Sequence, residues 1–451
     1  MPSLDSKLAA KLEDRKGKGR FRHLREFDPS LPSYSDLIDF SSNDYLSLTT
    51  STALRQSYLD RLSTTSSIFG STGSRLLSGS TPSHTMLENR FTRFFESPAA
   101  LLFNSGWDAN VSFFSTVPQE TDWVIYDELV HASVHSGLRA SRIPPSRRKM
   151  FAHNDVEALE VILLELGDDE STVFLALESL YSMDGDFAPL KELSDVLDDH
   201  VPRERQCVVL DEAHSTGVYG AAGRGIAHLL GEGNGQQGRV GVRLMTFGKA
   251  VGCSGGDFPP TAQSCVFSDD TGPAVLLCSA TIRSFLINFA RPLIFSTALP
   301  HSTLISLQCA WDLLDSDEGE SRRISLFALT GYLYSILAPL LSRTPPRILH
   351  LPPTVSSITP SSIIGLLTPT PHALSAFLLQ KGFIIRPVVP PTVPPGGERV
   401  RICLRAGMQK EVLDSLVEAL DEWVTRNLEE KTKIGNSSVG GMSEVAVKAR
   451  L

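Results

Sequence analysis

Two apolar runs in this chain end in groups that belong together chemically. Cys207-Val-Val-Leu-Asp-Glu-Ala-His-Ser-Thr-Gly217 places a carboxylate, Asp211, at the end of a strand-like stretch. Leu244-Met-Thr-Phe-Gly-Lys-Ala-Val-Gly252 places a lysine, Lys249, just beyond another. A carboxylate so placed could keep a pyridine nitrogen protonated, and the lysine could form a Schiff base with an aldehyde. The pairing points to pyridoxal 5'-phosphate and to carbanion chemistry at an amino acid.

Other patterns compete with that reading and fail on context. Asp211-Glu-Ala-His214 spells a helicase signature, but no G-x-x-x-x-G-K-[ST] phosphate loop occurs in the chain. His131 and His135 have the spacing of a metal pair; no third ligand or H-E-x-x-H context accompanies them, and no metal is expected. Gly233-Asn-Gly-Gln-Gln-Gly238 matches a dinucleotide glycine pattern, yet it lies in a polar loop before a strand instead of after one.

The elements that must carry these groups alternate along the middle of the chain. Ala99 to Asn104, Trp123 to Asp127, Thr172 to Leu177, Gln206 to Asp211 and Arg243 to Thr246 read as strands, with helical patterns such as Glu157 to Leu166 and Ala188 to Asp199 between them. This is an α/β pattern with a mostly parallel sheet, and in such sheets ligands sit beyond the carboxyl ends of the strands, where Asp211 and Lys249 fall. From about Thr303 the pattern turns to long helices, a proline-rich linker (Pro345 to Pro360), strands around Ile384 to Val389 and Val400 to Leu404, and a last helix from Lys410 to Asn427. The expected organisation is an N-terminal helical segment (1–38), a large domain (39–300), a smaller α+β C-terminal domain (301–430) and a flexible tail (431–451). Pro390 to Glu398 should form a stiff exposed loop.

Composition narrows the class. The 451 residues exceed one ordinary core, and a hydrophobic content of 41% with 21% charged residues is that of a globular protein. A net charge of -9 without a basic face disfavours nucleic acid and anionic membranes as partners. Six scattered cysteines with no C-x-x-C pair read as reduced thiols. No uncharged apolar run is expected to reach bilayer-spanning length, and the charged amphipathic start resembles neither a signal peptide nor an acid-poor transit peptide. A polar stretch, Lys433 to Met442, leads to the terminal Ala449-Arg450-Leu451, which has the form of a peroxisomal address read by an import receptor. The expectation is an intracellular protein directed to the peroxisome, the alternative being cytoplasmic. The Asn436-Ser-Ser sequon is expected to stay unused.

Several further motifs occur in order with the first two: Phe40-Ser-Ser-Asn-Asp-Tyr-Leu46, Gly70-Ser-Thr-Gly-Ser-Arg-Leu-Leu-Ser-Gly79, Phe103-Asn-Ser-Gly-Trp-Asp-Ala-Asn110, Glu178-Ser-Leu-Tyr-Ser-Met-Asp-Gly-Asp186 and Arg399-Val-Arg-Ile-Cys-Leu404. With them the chain, from about Asp39 to Leu420, resembles the α-oxoamine synthases, acyltransferases of pyridoxal-phosphate fold type I. The resemblance implies a seven-stranded, mostly parallel sheet in the large domain and a homodimer with shared active sites. Lys249 is then the cofactor lysine and the base for the α-proton. Asp211 partners the pyridine nitrogen, His214 the phenolic oxygen, and His131 stacks on the ring. Ser105, Gly106, Trp107 and Thr246 would hold the phosphate, with Thr297 contributed by the other subunit, and Glu178 and Ser182 would lie near the ring. Asn43 and Arg401 would hold the amino-acid carboxylate, Arg401 through a bidentate fork, while its neighbours Arg399 and Arg405 read equally as surface charge. Arg20 or Arg22 would meet the acyl-CoA or the distal carboxylate of a pimeloyl chain.

The implied reaction is the decarboxylative condensation of L-alanine with pimeloyl-CoA to 8-amino-7-oxononanoate, CoA and carbon dioxide, in biotin biosynthesis. Alternatives are a serine palmitoyltransferase-like, 5-aminolevulinate synthase-like or glycine C-acetyltransferase-like activity, or a catalytically impaired partner subunit. One departure stands out: Asp257 to Pro273 is inserted where the family's lysine loop runs almost directly into the strand that here begins at Ala274.

Overall fold

The computed structural model describes residues 3–18, 21, 37–167, 170–233, 238–253, 272–353 and 361–445. A first helix, α1 (Leu4–Gly17), precedes a two-residue strand β1 (Ile38–Asp39) and the helices α2 (Thr52–Thr64) and α3 (Pro82–Phe94). Then strands and helices alternate: β2 (Ala99–Phe103), α4 (Gly106–Thr116), β3 (Trp123–Asp127), α5 (Ala132–Ala140), β4 (Arg148–Phe151), α6 (Val156–Leu166), β5 (Val173–Glu178), α7 (Leu190–His200), β6 (Gln206–Asp211), α8 (Ile226–Leu230), β7 (Val240–Thr246) and β8 (Ala274–Cys278). Helices α9 (Ala280–Phe289), α10 (Arg291–Phe295), α11 (His301–Leu314) and α12 (Asp317–Arg343) come next. The C-terminal part holds β9 (Ile363–Leu367), α13 (Pro371–Gln380), β10 (Phe383–Ile384), β11 (Arg386–Val388), β12 (Arg399–Cys403) and α14 (Lys410–Val445).

Strands β2 to β8 form one seven-stranded sheet in the order β2-β8-β7-β6-β5-β3-β4, with β8 antiparallel to both neighbours and the other pairs parallel. Helices cover both faces, so every residue of β5 and β8 is buried, and their near-continuous apolar sequences follow from that. The expected mostly parallel α/β sheet is therefore present. Strand β4, Arg-Lys-Met-Phe, lies outside the expected set because an edge strand carries charge where a central one cannot.

A second sheet, β11-β12-β9, is antiparallel and belongs to the smaller α+β part. The N-terminal end of the sequence-defined large domain is tied to it. Ile38 and Asp39 pair with Phe383 and Ile384, Cys403 N donates to Phe40 O at 2.7 Å, and Ala406 N donates to Tyr45 O at 2.8 Å. The segment from Ile38 to Tyr45 is thus carried by the C-terminal strands, a long-range pairing that no local pattern announces.

Two expectations need correction. Helix α12 includes an uncharged stretch, residues 324–342, and is long and apolar enough to cross a membrane by length and composition. Its Leu326, Leu329, Leu333, Leu337 and Leu340 are buried in the core, on the sides facing α11 and α14, while Ala328, Gly331, Ser335 and Ala338 are exposed. Core packing on one stripe accounts for these leucines, a third of the apolar stretch being buried. The tether expected at Lys433 to Met442 is helical: α14 extends past Asn427 to Val445, continuing a helix already nucleated and docked over Leu413 to Val424 in spite of the helix-weakening Gly435, Gly440 and Gly441. The terminal tripeptide, residues 354–360 of the linker, and most of the insertion, 257–271, lie outside the described residues.

Candidate active site

The carboxyl ends of β5, β6 and β7 lie side by side in the sheet. Parallel pairing places Glu178, the last residue of β5, directly beside Asp211, the last of β6. Both are buried. Asp211 Oδ1 accepts from Ala213 N at 2.9 Å, and Oδ2 accepts from Asn110 Nδ2, on α4, at 2.9 Å. The same amide lies 3.0 Å from Ser133 Oγ, which is 2.7 Å from His131 Nδ1 at the start of α5. An aspartate, an asparagine, a serine and a histidine from three elements thus form one hydrogen-bonded row.

A second row runs from the C-terminal sheet to His214. His214 is 3% exposed, and its Nδ1 is 2.7 Å from the Tyr45 hydroxyl. Arg401, on β12, donates from Nη2 to Asn43 Oδ1 at 2.8 Å and lies 3.5 Å from the Tyr45 oxygen. Burial, then the positive charges of Lys249 and Arg401 and the nearby His131, hold the His214 ring well below the usual histidine range. The imidazole is neutral, and those influences also place Lys249 and Arg401 in its surroundings.

Lys249 is 4% exposed, three residues beyond β7. Its neighbour Gly248 meets Gly272 so closely that a Cβ on Gly272 would sit 2.2 Å from Gly248 Cα. Thr246, at the end of β7, is buried and its hydroxyl reaches Ala213 O at 3.4 Å. Ser105 caps α4, its Oγ accepting from Asp108 N at 3.0 Å, so the first-turn N–H groups of Gly106 and Trp107 head a helix, where an anion is favoured. Trp107 stands edge-on to His131 with ring centroids 5.9 Å apart.

These groups fit pyridoxal 5'-phosphate. Asp211 is a buried carboxylate suited to a pyridinium, and His214 Nε2, bonded to no described residue, is available to a phenolic oxygen. The α4 N-terminus suits a phosphate, and Lys249 brings an amine. Asn43 and Arg401 are brought together as expected. Ser182 lies half-buried in the turn after β5. Thr297 stands apart: it is exposed, and its backbone oxygen accepts from Asn104 Nδ2 at 2.8 Å. Arg20 and Arg22 lie outside the described residues.

Some residues of the site carry no role that the sequence alone assigns. Asn110 and Tyr45 stand inside two of the ordered motifs, and only the fold shows what each touches. Arg399, which reads equally as surface charge, is 4% exposed and paired with Asp184, because β12 presses against the turn after β5. His153 lies between Asp127, 2.9 Å from Nδ1, and Asp186, 2.8 Å from Nε2. Ligand atoms of His153, Asp184 and Asp186 fall within 4.8 Å of one another, a spacing open to a metal, but His153 and Arg399 already supply the counter-charges. His135 packs edge-on to Tyr126, and burial first, then Arg139 and His131, pull its ring down.

Residues 35–420 match the family described as aminotransferase class I and II. The chain is 38% identical over 413 residues to an 8-amino-7-oxononanoate synthase of Emericella nidulans, across 90% of this chain and 93% of that protein. It is 31% identical to the aminoacyl transferase sphA of Aspergillus fumigatus, covering 87% and 82% of the two chains. Among solved structures, serine palmitoyltransferase of Sphingomonas wittichii superposes with a TM-score of 0.75 at 25% identity, over 94% of this chain and 98% of that one.

Proposed function

Because this chain belongs to the class I and II aminotransferase family and is a pyridoxal-phosphate-dependent enzyme, we propose that it condenses L-alanine with pimeloyl-CoA to 8-amino-7-oxononanoate. One carbon–carbon bond forms, the thioester C–S bond breaks to release CoA, and the alanine carboxyl group leaves as carbon dioxide. The observation that carries the reading is the Arg401–Asn43 pair at 2.8 Å, a clamp suited to an amino-acid carboxylate, with Arg401 and Lys249 both near enough to act on the His214 ring. The product for which the Emericella relative is named supports this choice of substrates.

The cofactor, when bound, supplies the electron sink that stabilises negative charge at the amino-acid α-carbon. Asp211, oriented by Asn110, keeps the ring nitrogen protonated. Lys249 Nζ removes the α-proton and later returns one. Arg401 orients the carboxylate that will depart, and the buried surroundings keep water from the reacting carbon.

A homodimer is part of the proposal. Phe69, Leu77, Phe289 and Phe295 are more than half exposed. The loop carrying Phe69 and Leu77 is bonded to the strand-like stretch after Phe295 through Ser71 Oγ to Ala298 O and Ala298 N to Gly73 O. A second copy would cover this apolar surface, which also carries Thr297.

A second reading, formation of a sphingoid-type product from serine and a long-chain acyl-CoA, is favoured by the likeness to serine palmitoyltransferase and by the sphA relative. CoA release separates the two, with alanine, glycine and serine each crossed against pimeloyl-, acetyl-, succinyl- and palmitoyl-CoA. Turnover confined to alanine with pimeloyl-CoA supports the first reading, and preference for serine with palmitoyl-CoA replaces it.

A further inference from the structure

We propose that Tyr45 is a positioning residue that fixes the tautomer of His214, holding the single ring proton on Nε2, where it faces the cofactor. The inference rests on the pocket holding pyridoxal 5'-phosphate and is independent of which amino acid and acyl group react.

A neutral imidazole carries one N–H, and the partner of one nitrogen decides which nitrogen bears it. His214 is neutral, buried among Lys249, Arg401 and His131. Its Nδ1 has one partner among the described residues, the Tyr45 hydroxyl at 2.7 Å. Nδ1 and Asn43 Oδ1 are both acceptors within reach of that hydroxyl, the second at 3.2 Å.

The competition is decided by Arg401. Asn43 Oδ1 already receives a charge-assisted hydrogen bond from Arg401 Nη2 at 2.8 Å, and the same Nη2 lies 3.5 Å from the Tyr45 oxygen. A cation on the oxygen side makes the phenol the stronger donor, and the nearer acceptor is the imidazole nitrogen. Tyr45 therefore donates to Nδ1, and the proton of His214 resides on Nε2. A bound phenolate oxygen needs a donor there; the other tautomer would set a lone pair against it.

Tyr45 also places His214 one residue away from the carboxylate clamp. Arg401, Asn43, Tyr45 and His214 form one connected row from the amino-acid side of the pocket to the cofactor side. Nothing in the local sequence Ser42-Asn-Asp-Tyr45 reveals this, since its partners are 169 and 356 positions away.

The test is histidine 15N NMR on the cofactor-free protein, with the His214 signals assigned by their loss in His214→Asn. Wild type should show Nε2 protonated and Nδ1 bare. Tyr45→Phe, which keeps the ring and removes the hydroxyl, should shift His214 toward Nδ1–H. It should also weaken pyridoxal-phosphate binding about tenfold, followed by the absorbance of the bound cofactor. A wild-type ring protonated at Nδ1, alone or together with Nε2, overturns the proposal even if Tyr45→Phe does not fold. So does an unchanged tautomer in a folded Tyr45→Phe. Failure of the protein to bind pyridoxal phosphate would count against the cofactor reading and leave the tautomer measurement standing.

Discussion

The side-chain amide of Asn110 lies 2.9 Å from Asp211 Oδ2 and 3.0 Å from Ser133 Oγ, so one residue of α4 orients the carboxylate at the end of β6 and ties it to the histidine at the start of α5. Replacing Asn110 by Leu keeps the forked shape and removes the donor. A hydrogen bond to a buried charge contributes on the order of 2 kcal/mol, so pyridoxal-phosphate affinity should fall roughly tenfold to thirtyfold. Titration of cofactor-free protein with pyridoxal phosphate measures this, and an unchanged affinity would remove Asn110 from the cofactor site.

Arg401→Lys keeps a positive charge but loses the fork that can hold a carboxylate bidentately while also bonding Asn43. The KM for the amino acid should rise by about 10- to 100-fold, with cofactor binding little affected. A comparable rise in the KM for the acyl-CoA alone would place Arg401 on the wrong substrate.

His153 makes a pH prediction. Burial by itself pulls the ring down, but hydrogen bonds and charge from Asp127 and Asp186 outweigh it and lift the ring to about 9. A histidine raised in the folded state contributes stability that is whole below its unfolded value near 6.5 and is lost as pH rises through about 9. The contribution is about 3 kcal/mol by linkage. Urea midpoints taken from pH 6 to pH 10 should fall steeply through this window in wild type and less steeply in His153→Gln. Parallel curves for the two proteins would show that the ring is not the group being titrated.

The described residues on either side of 254–271, the stretch that holds most of the insertion, meet. A Cβ at Gly272 would lie 2.6 Å from Cys253 O as well as 2.2 Å from Gly248 Cα. A chain that leaves and returns at one point can be shortened there at a cost below about 1 kcal/mol. Replacing residues 254–271 by a few glycines and serines should leave the melting temperature and pyridoxal-phosphate binding nearly unchanged, whereas Gly272→Val should impair both by displacing Gly248 beside Lys249. Loss of folding in the shortened chain would assign the segment to the core.

Short apolar runs make the large sheet legible: every residue of β5 and β8 is buried, as is β6 from Val208 onward, and their sequences are correspondingly apolar. They cannot reveal β4, whose Arg148 and Lys149 reflect an edge position. Asp211 and Lys249 are legible since each lies beyond its own strand-like run, and Arg401 through its motif. Arg399 is not, because burial beside Asp184 depends on how β12 meets a turn more than 200 residues earlier. His153 gives no signal for the same reason: its two carboxylates come from the ends of other segments.

The stitching of Phe40 and Tyr45 to Cys403 and Ala406 bears on how this molecule comes into being. Asn43 and Tyr45 leave the ribosome early and Arg401 some 350 residues later, so the amino-acid clamp is completed late in synthesis. The seven strands, all translated by Cys278, can close first, since units of structure form as their chain emerges. A nascent chain therefore carries its reactive lysine without the means to seize an amino acid until translation has brought the last strand home.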